Sequence, residues 1–238
     1  MSREVPYEKQ TIDHPNPVAR YAHQQRYLNS LRLVDALLPR NGTILDFGAG
    51  QGEFMHRLGT LRPDVRLLAY EPFMTMKYSE ITVGDTMDLF EDGSVDLVCA
   101  FETLEHISDQ LIEDFVSQSI RICRRNARII VSIPVMQGAI LPVKQIVRSV
   151  LFRRLSDYSI GEMLRGVFGL SVRRAENILL SHKGFDHRAL LRLLTKRLTL
   201  LQTSYSPFAG LPWWLNSQVF FVFAIDQTPA AAAVRLAE

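Results

Sequence analysis

Residues 43–54 read Thr-Ile-Leu-Asp-Phe-Gly-Ala-Gly-Gln-Gly-Glu-Phe. A short apolar run ends in the carboxylate of Asp46, and Gly48, Gly50 and Gly52 follow at alternate positions. Glycine reaches backbone angles that other residues avoid and lets a ligand approach the main chain. The helix predicted to begin near Gln51 adds unpaired N–H groups aimed at polar ligand atoms. Pyrophosphate is the wrong guest for this corner. A dinucleotide loop spaces its glycines Gly-x-Gly-x-x-Gly, and counted from Gly48 the third position is Glu53, a carboxylate where phosphate charge would sit. A ligand without phosphates, or with a cationic centre, suits it better. Glu71 lies 19 residues beyond Gly52, at the end of an apolar stretch over 65–70. A carboxylate there can accept two hydrogen bonds from a ribose diol. Further on, His106 offers an imidazole that fits two roles, acceptor of a substrate proton or structural hydrogen-bond partner at a helix start.

These groups need elements to hold them. Asn16-Pro17 starts a predicted helix that stops at Pro39, with Tyr27, Leu31, Val34, Leu37 and Leu38 at helical spacing. A strand leads into the glycine corner, and a helix follows over about 51–59. Strands are predicted over 65–70, 81–83 and 95–100, with Gly84-Asp85 at the end of the second of these. Ser108 opens an amphipathic helix to about Arg125, which places Cys123 in that helix. The nearly unbroken apolar run 127–135 suits a central parallel strand. Asp186 caps a helix with Leu190, Leu191, Leu193 and Leu194 on its buried side, and strands are predicted over 198–205 and 217–225.

At the glycine corner the sequence resembles the class I S-adenosylmethionine-dependent methyltransferases, whose first motif reads Asp-x-Gly-x-Gly-x-Gly. Asp46, Gly48, Gly50 and Gly52 match it. Asp96-Leu97-Val98, followed by Leu104-Glu105-His106, resembles the fourth-strand region of the small-molecule members, with Val95 in place of the usual aromatic. The resemblance implies a Rossmann-like, doubly wound α/β fold: seven strands, mostly parallel, an antiparallel seventh beside the fifth, and a helical insert after the fifth. It implies an enzyme that binds S-adenosyl-L-methionine, with Asp46, Gly48, Ala49, Gly50, Gly52, Glu71, Pro72, Asp85, Thr86, Met87 and Phe101 around the cofactor and Asp85 accepting the adenine amino group. On the substrate side it implies Tyr21 and His23 on the first helix, Glu105, and Arg148 in the insert, with His106 as candidate catalytic group. The matching division is a covering arm and helix over 1–40, a cofactor-binding core over 41–136, a basic insert over 137–181, the rest of the core over 182–226, and a tail over 227–238.

Composition narrows the setting. The longest apolar run, 219–225, is seven residues, far below the roughly 20 needed to span a bilayer. The polar N-terminus does not read as a signal peptide, which points to a cytoplasmic protein, and no cysteine or histidine spacing suggests a metal. The formal net charge of +2 hides an asymmetry: residues 1–139 carry 14 Lys/Arg against 19 Asp/Glu, and residues 140–238 carry 13 against 6. In the insert, Val143, Ile146, Val147, Val150 and Leu151 alternate with Lys144, Arg148, Arg153 and Arg154. That pattern fits a basic lid or an interfacial helix at a membrane, and the position of Arg154 on the apolar face favours the lid. No Asn/Asp-Pro-Pro-Tyr motif follows the fourth strand, so a nucleic-acid substrate is not expected. Expected acceptors are a small molecule or a glycan- or lipid-linked one. Residues 216–219, Asn-Ser-Gln-Val, loosely resemble methyltransferases of bacterial surface-glycan pathways. The alternatives are a cofactor-binding partner without catalysis, or a methyltransferase acting on nucleic acid or protein.

Overall fold

Leu45 and Phe47 point to one side of a strand, and Ile44 and Asp46 to the other; all four are buried. A strand buried on both faces needs helices on both, and that requirement lays out the whole chain. The computed structural model describes residues 17–152, 156–177 and 181–225. The 1–16 arm, the 227–238 tail, Arg153 and Arg154 lie outside the described residues.

The elements run α1 (Pro17–Leu37), β1 (Thr43–Phe47), α2 (Glu53–Leu61), β2 (Arg66–Tyr70), β3 (Thr82–Gly84), β4 (Val95–Phe101), α3 (Asp109–Ile122), β5 (Cys123–Pro134), α4 (Ile140–Phe152), α5 (Ile160–Val167), α6 (His187–Leu194), β6 (Leu198–Ser206) and β7 (Gln218–Ile225). One sheet takes all seven strands in the order β3-β2-β1-β4-β5-β7-β6. Strands β1 to β5 pair in parallel, and β7 runs antiparallel to both β5 and β6. On one face Val34 of α1, Leu38 just past its end, and Met55 and Leu58 of α2 join a core with Ile44, Leu97, Cys99 and Ile130. On the other, α3 and α6 contribute Ile112, Phe115, Leu190 and Leu194 against Leu45, Val98, Ile129 and Phe221.

Two boundaries differ from the sequence expectation. Helix α2 starts at Glu53 and not at Gln51, because Gly52 precedes it in a left-handed conformation, φ 89°. Helix α3 ends at Ile122. Cys123 has already turned extended (φ −78°, ψ 141°) and pairs with Val95 as the first residue of β5. Residues 124–126 are exposed beyond that pair, with a register shift before Arg128 meets Leu97. Their charge reads as a polar helix end, whereas Arg124 bonds Asp96 on the neighbouring strand.

The sheet's carboxyl ends carry the site. The chain order reverses between β1 and β4, and ligands of open α/β sheets bind outside such a switch point.

Candidate cofactor and acceptor site

The Gly48 amide donates to Tyr70 O at 2.8 Å, which ties the corner to the end of β2. A Cβ on Gly48 would stand 2.4 Å from Thr103 Cγ2, and one on Gly52 would stand 2.2 Å from Met76 Sδ and 2.9 Å from Ile81 Cδ1. These two glycines let the protein close on itself. Gly50 differs: at φ +58° its absent side chain would meet only Met74 Sδ, at 3.9 Å. The space in front of Gly50 belongs to no protein atom, as a cofactor cradle requires.

Glu71 follows β2 and is 9% exposed. Its Oε2 accepts the Gly50 amide at 2.8 Å, and its Oε1 accepts the amides of Phe73 and Met74 at 2.9 and 3.1 Å. Three N–H donors fix the carboxylate, and each oxygen keeps acceptor capacity because two oxygens offer about four lone-pair sites. Glu71, Met74, Met76, Gly84, Asp85 and Leu89 line a cavity of about 500 Å³. A depression of about 400 Å³ beside Gly59, Arg62 and Glu80 lies away from these groups. Glu53, at the start of α2, turns its carboxylate to Arg57 and Tyr78. The donor set in front of Gly50 therefore suits a nucleoside with a cationic arm and not a diphosphate.

Asp46 is 4% exposed. Burial pushes its pKa up to about 7; Cys99 Sγ, 3.5 Å from Oδ1, works against the rise, and the nearby Glu71 charge adds to it. A positive group brought close to Asp46 would pull that pKa back down and make it a counter-ion.

Not every expected residue lines the cavity. Ala49 and Phe101 pack on the α1–α2 core, and Phe101 meets the edge of Phe54 with ring centroids 4.9 Å apart. Pro72 is exposed. Thr86 caps the turn Met87–Leu89, its Oγ1 accepting the Asp88 amide at 3.4 Å. Met87 is 7% exposed and turned into the core beside Phe90, and it does not line the cavity. Tyr21 is 46% exposed on the first turns of α1. The side chains of His23 and Arg148 lie outside the described residues.

The end of β4 brings Glu105 and His106, both expected there, together with Glu102, to which the sequence reading gave no role of its own. Glu102 adopts φ 54°, a left-handed conformation unusual for a residue with a side chain. Its amide donates to Ser132 O at 2.9 Å. Its Oε2 accepts Arg26 Nη1 at 3.2 Å, and its Oε1 accepts Gln218 Nε2 at 2.7 Å. Arg26 on α1, Glu102 after β4 and Gln218 on β7 are thereby joined beside the corner. No local pattern marks such a contact; only its position just past an apolar strand could have pointed to Glu102. Glu105 is 1% exposed, and neither carboxylate oxygen has a hydrogen-bond partner among the described residues. Burial, reinforced by the charge of Glu102, holds its pKa well above the carboxylate range. His106 Nε2 lies 3.0 Å from His182 Nε2. Lys144, expected among the insert's solvated charges, instead buries its ammonium: Nζ donates to Val135 O and Ser217 O at 2.8 and 2.9 Å, and burial pushes its pKa down to about 8.

Comparison with known proteins agrees with this geometry. Solved structures similar to the chain include a TehB-like S-adenosylmethionine-dependent methyltransferase from Corynebacterium glutamicum (TM-score 0.51, 17% identity, covering 88% of this chain and 100% of that one). They also include a methyltransferase from Aquifex aeolicus (0.55, 12%, 94% and 100%) and geranyl diphosphate C-methyltransferase from Streptomyces coelicolor (0.51, 11%, 94% and 87%), the last solved with S-adenosyl-L-homocysteine. Such identities carry the fold alone. By sequence, no curated protein matches the chain. Residues 21–150, over half of the chain and the span that holds the glycine corner, Glu71, Asp85 and the β4 end, match the profile of a methyltransferase domain, so the protein belongs to that family of S-adenosyl-L-methionine-dependent enzymes.

Proposed function

We propose that this methyltransferase acts on a small acceptor with an apolar portion, glycan- or lipid-linked, which it meets at a membrane surface. S-adenosyl-L-methionine brings a methyl group on a sulfonium that is already an activated leaving centre. The protein's task is to hold the reacting atoms in line and keep water out. Glu71, fixed by three amides, accepts the ribose diol; Asp85 reads the base in the cavity it shares with Glu71; Asp46 balances positive charge. Ala49, Pro72, Thr86, Met87 and Phe101 shape the surroundings. Phe54 and Phe101 close the side toward β4, and Arg26 holds α1 over the corner. For an acceptor hydroxyl, the proton-accepting group at the β4 end is the His106–His182 pair. The open position at Gly50 carries the cofactor assignment.

The insert over 137–181 supports the acceptor class. Ile160, Leu164 and Phe168 form a stripe along α5 and are 84%, 56% and 77% exposed. Val143, Ile146 and Leu170 are exposed in the same insert, which also carries Arg165 and Arg173. A lid shut over a pocket would bury those side chains. Their exposure beside arginines favours an interfacial face, although no helix among the described residues is long and apolar enough to cross a membrane.

The test is turnover. Protein incubated with S-adenosyl-L-methionine and extracts of membrane lipids or lipid-linked glycans should release S-adenosylhomocysteine, and Glu71→Gln should weaken S-adenosylhomocysteine binding roughly tenfold or more without unfolding. Binding of cofactor with no turnover on any acceptor would favour a catalytically inactive partner protein. Unchanged affinity in Glu71→Gln would remove the ribose assignment.

A further inference from the structure

Glu105, His106 and His182 offer three ligand atoms that all lie within 4.8 Å of one another. We infer that they form a divalent transition-metal site, with one coordination position left for an oxygen of the acceptor. Two adjacent residues at the β4 end and a third just before α6 converge, although their sequence separation hides the grouping.

Two observations point to a cation. The first is the convergence of three ligand atoms: Nε2 of His106 and Nε2 of His182 share a hydrogen bond at 3.0 Å, which an ion would replace, and each lies 3.9 Å from Glu105 Oε1. Ligands on a tetrahedral ion at about 2.1 Å stand about 3.4 Å apart, so the observed distances bracket the required ones, and shifts of a few tenths of an ångström in side-chain position suffice. The second is the carboxylate itself. Its side chain has no solvent exposure, and its oxygens have no hydrogen-bond partner among the described residues. A buried carboxyl group without partners is costly, and an ion held between its deprotonated form and the two imidazoles would remove that cost. Arg174 Nη2 donates to the backbone O of Glu105 at 2.7 Å and stiffens the loop behind the site.

The donor set fixes the class of metal. Two imidazoles and one carboxylate suit Zn²⁺, Co²⁺, Ni²⁺ or Fe²⁺ better than Mg²⁺ or Ca²⁺, which prefer all-oxygen shells. Three protein ligands with an open position is the arrangement of reactive zinc sites, whereas structural ones close all four. The side chains of His106 and His182 are 29% and 36% exposed, so the open position faces solvent while Glu105 closes the rear. The inference deepens the methyl-acceptor reading and rests on it only for what the metal would hold: an acceptor bearing a hydroxyl or a pair of adjacent oxygens. The imidazoles would then position the ion, and the ion, in place of an imidazole, would make the acceptor oxygen more acidic.

Untagged full-length protein, stripped with a chelator, should be titrated with Co²⁺ and followed by visible absorbance. Zn²⁺ should then compete, with a chromogenic chelator reporting the affinity. The expected result is saturable ligand-field absorption of low-coordinate Co²⁺, abolished by stoichiometric Zn²⁺. His182→Ala and Glu105→Gln should each weaken Zn²⁺ binding by at least the roughly 10–100-fold that even outer-sphere changes cost, with circular dichroism and S-adenosylhomocysteine affinity unchanged. A folded protein that binds S-adenosylhomocysteine but shows no Co²⁺ absorption overturns the site, as does Zn²⁺ affinity that survives His182→Ala. Metal binding lost in both variants, in a protein that does not bind S-adenosylhomocysteine, would support the site and sink the cofactor reading separately.

Discussion

Gly48 and Gly50 are one residue apart and do different work. A Cβ at Gly48 meets the stiff, β-branched Thr103 at 2.4 Å, whereas one at Gly50 meets only Met74 Sδ, at an unstrained 3.9 Å. Gly48→Ala should therefore lower the midpoint of urea unfolding, by about 2 kcal/mol or more from overpacking and strain. Gly50→Ala should cost only the left-handed backbone, about 1 kcal/mol, yet abolish measurable S-adenosylhomocysteine binding by calorimetry. Equal affinity in Gly50→Ala would mean that nothing approaches that amide. Asp46 gives a pH prediction. Its pKa moves from 3.8 to about 7 on folding, so between those values the folded chain holds a proton that the unfolded chain has released. The stability this adds is complete below the unfolded value and lost as pH rises to about 7. Asp46→Asn stays neutral throughout, so its melting temperature relative to the parent should climb from about pH 4 to about pH 8; a flat difference overturns the raised pKa. At this scale the sequence was informative wherever the chemistry is contiguous: the alternate glycines, Asp46 and Glu71 stand in short, ordered motifs. It assigned Glu102 no partner, because Arg26 and Gln218, which its carboxylate accepts from, lie far away along the chain. It was equally silent on Lys144, where a charge that reads as solvated is buried against two carbonyls.

Helix and strand types followed from periodicity, and the misplaced boundaries have a common cause: the deciding contact lies outside the element. Gly52 delays α2 by adopting an angle set by the corner, and Val95 draws Cys123 into β5 although the charges beyond it look helical. The same holds for α1. Its amphipathic pattern predicts a buried face, which Val34 and Leu38 supply, but not the polar contacts that fix its upper half: Arg26 to Glu102, Asn29 Nδ2 to Ser206 Oγ at 3.2 Å, and the Tyr27 ring against Phe54. These are the contacts by which α1 would govern access to the corner. Arg26→Gln should raise amide hydrogen exchange over α1 while leaving β1, β4 and β5 protected. It should weaken S-adenosylhomocysteine several-fold, and its cost to global stability should stay near that of a part-exposed ion pair, about 1 kcal/mol or less. Unchanged exchange in α1 would show that the latch does not hold the helix.

Charge is divided unevenly along the chain. The first 139 residues carry a net charge of −5 and the remainder +7, and the apolar stripe of α5 lies in the basic part. A hydrophobic face alone could bind another protein, and basic charge alone is a common solvated surface. Together on one insert, Ile160, Leu164 and Phe168 beside Arg165 and Arg173 match a lipid interface, where apolar groups enter the headgroup boundary and arginines face anionic lipid. Each basic residue near such a surface contributes about 1 kcal/mol, and the attraction fades within a Debye length as salt is added. The protein should therefore co-sediment with phosphatidylglycerol-containing vesicles at low salt and much less with zwitterionic ones. Adding salt should weaken the interaction without abolishing it, because part of the energy is apolar. The double variant Ile160→Ser, Phe168→Ser removes the two most exposed side chains of the stripe and keeps every charge. It should lose the salt-resistant part of vesicle binding, retain S-adenosylhomocysteine affinity, and turn over a lipid-linked acceptor more slowly than a soluble analogue of it. Absence of vesicle binding in the parent protein would sink the interfacial reading and return the insert to the role of a soluble lid.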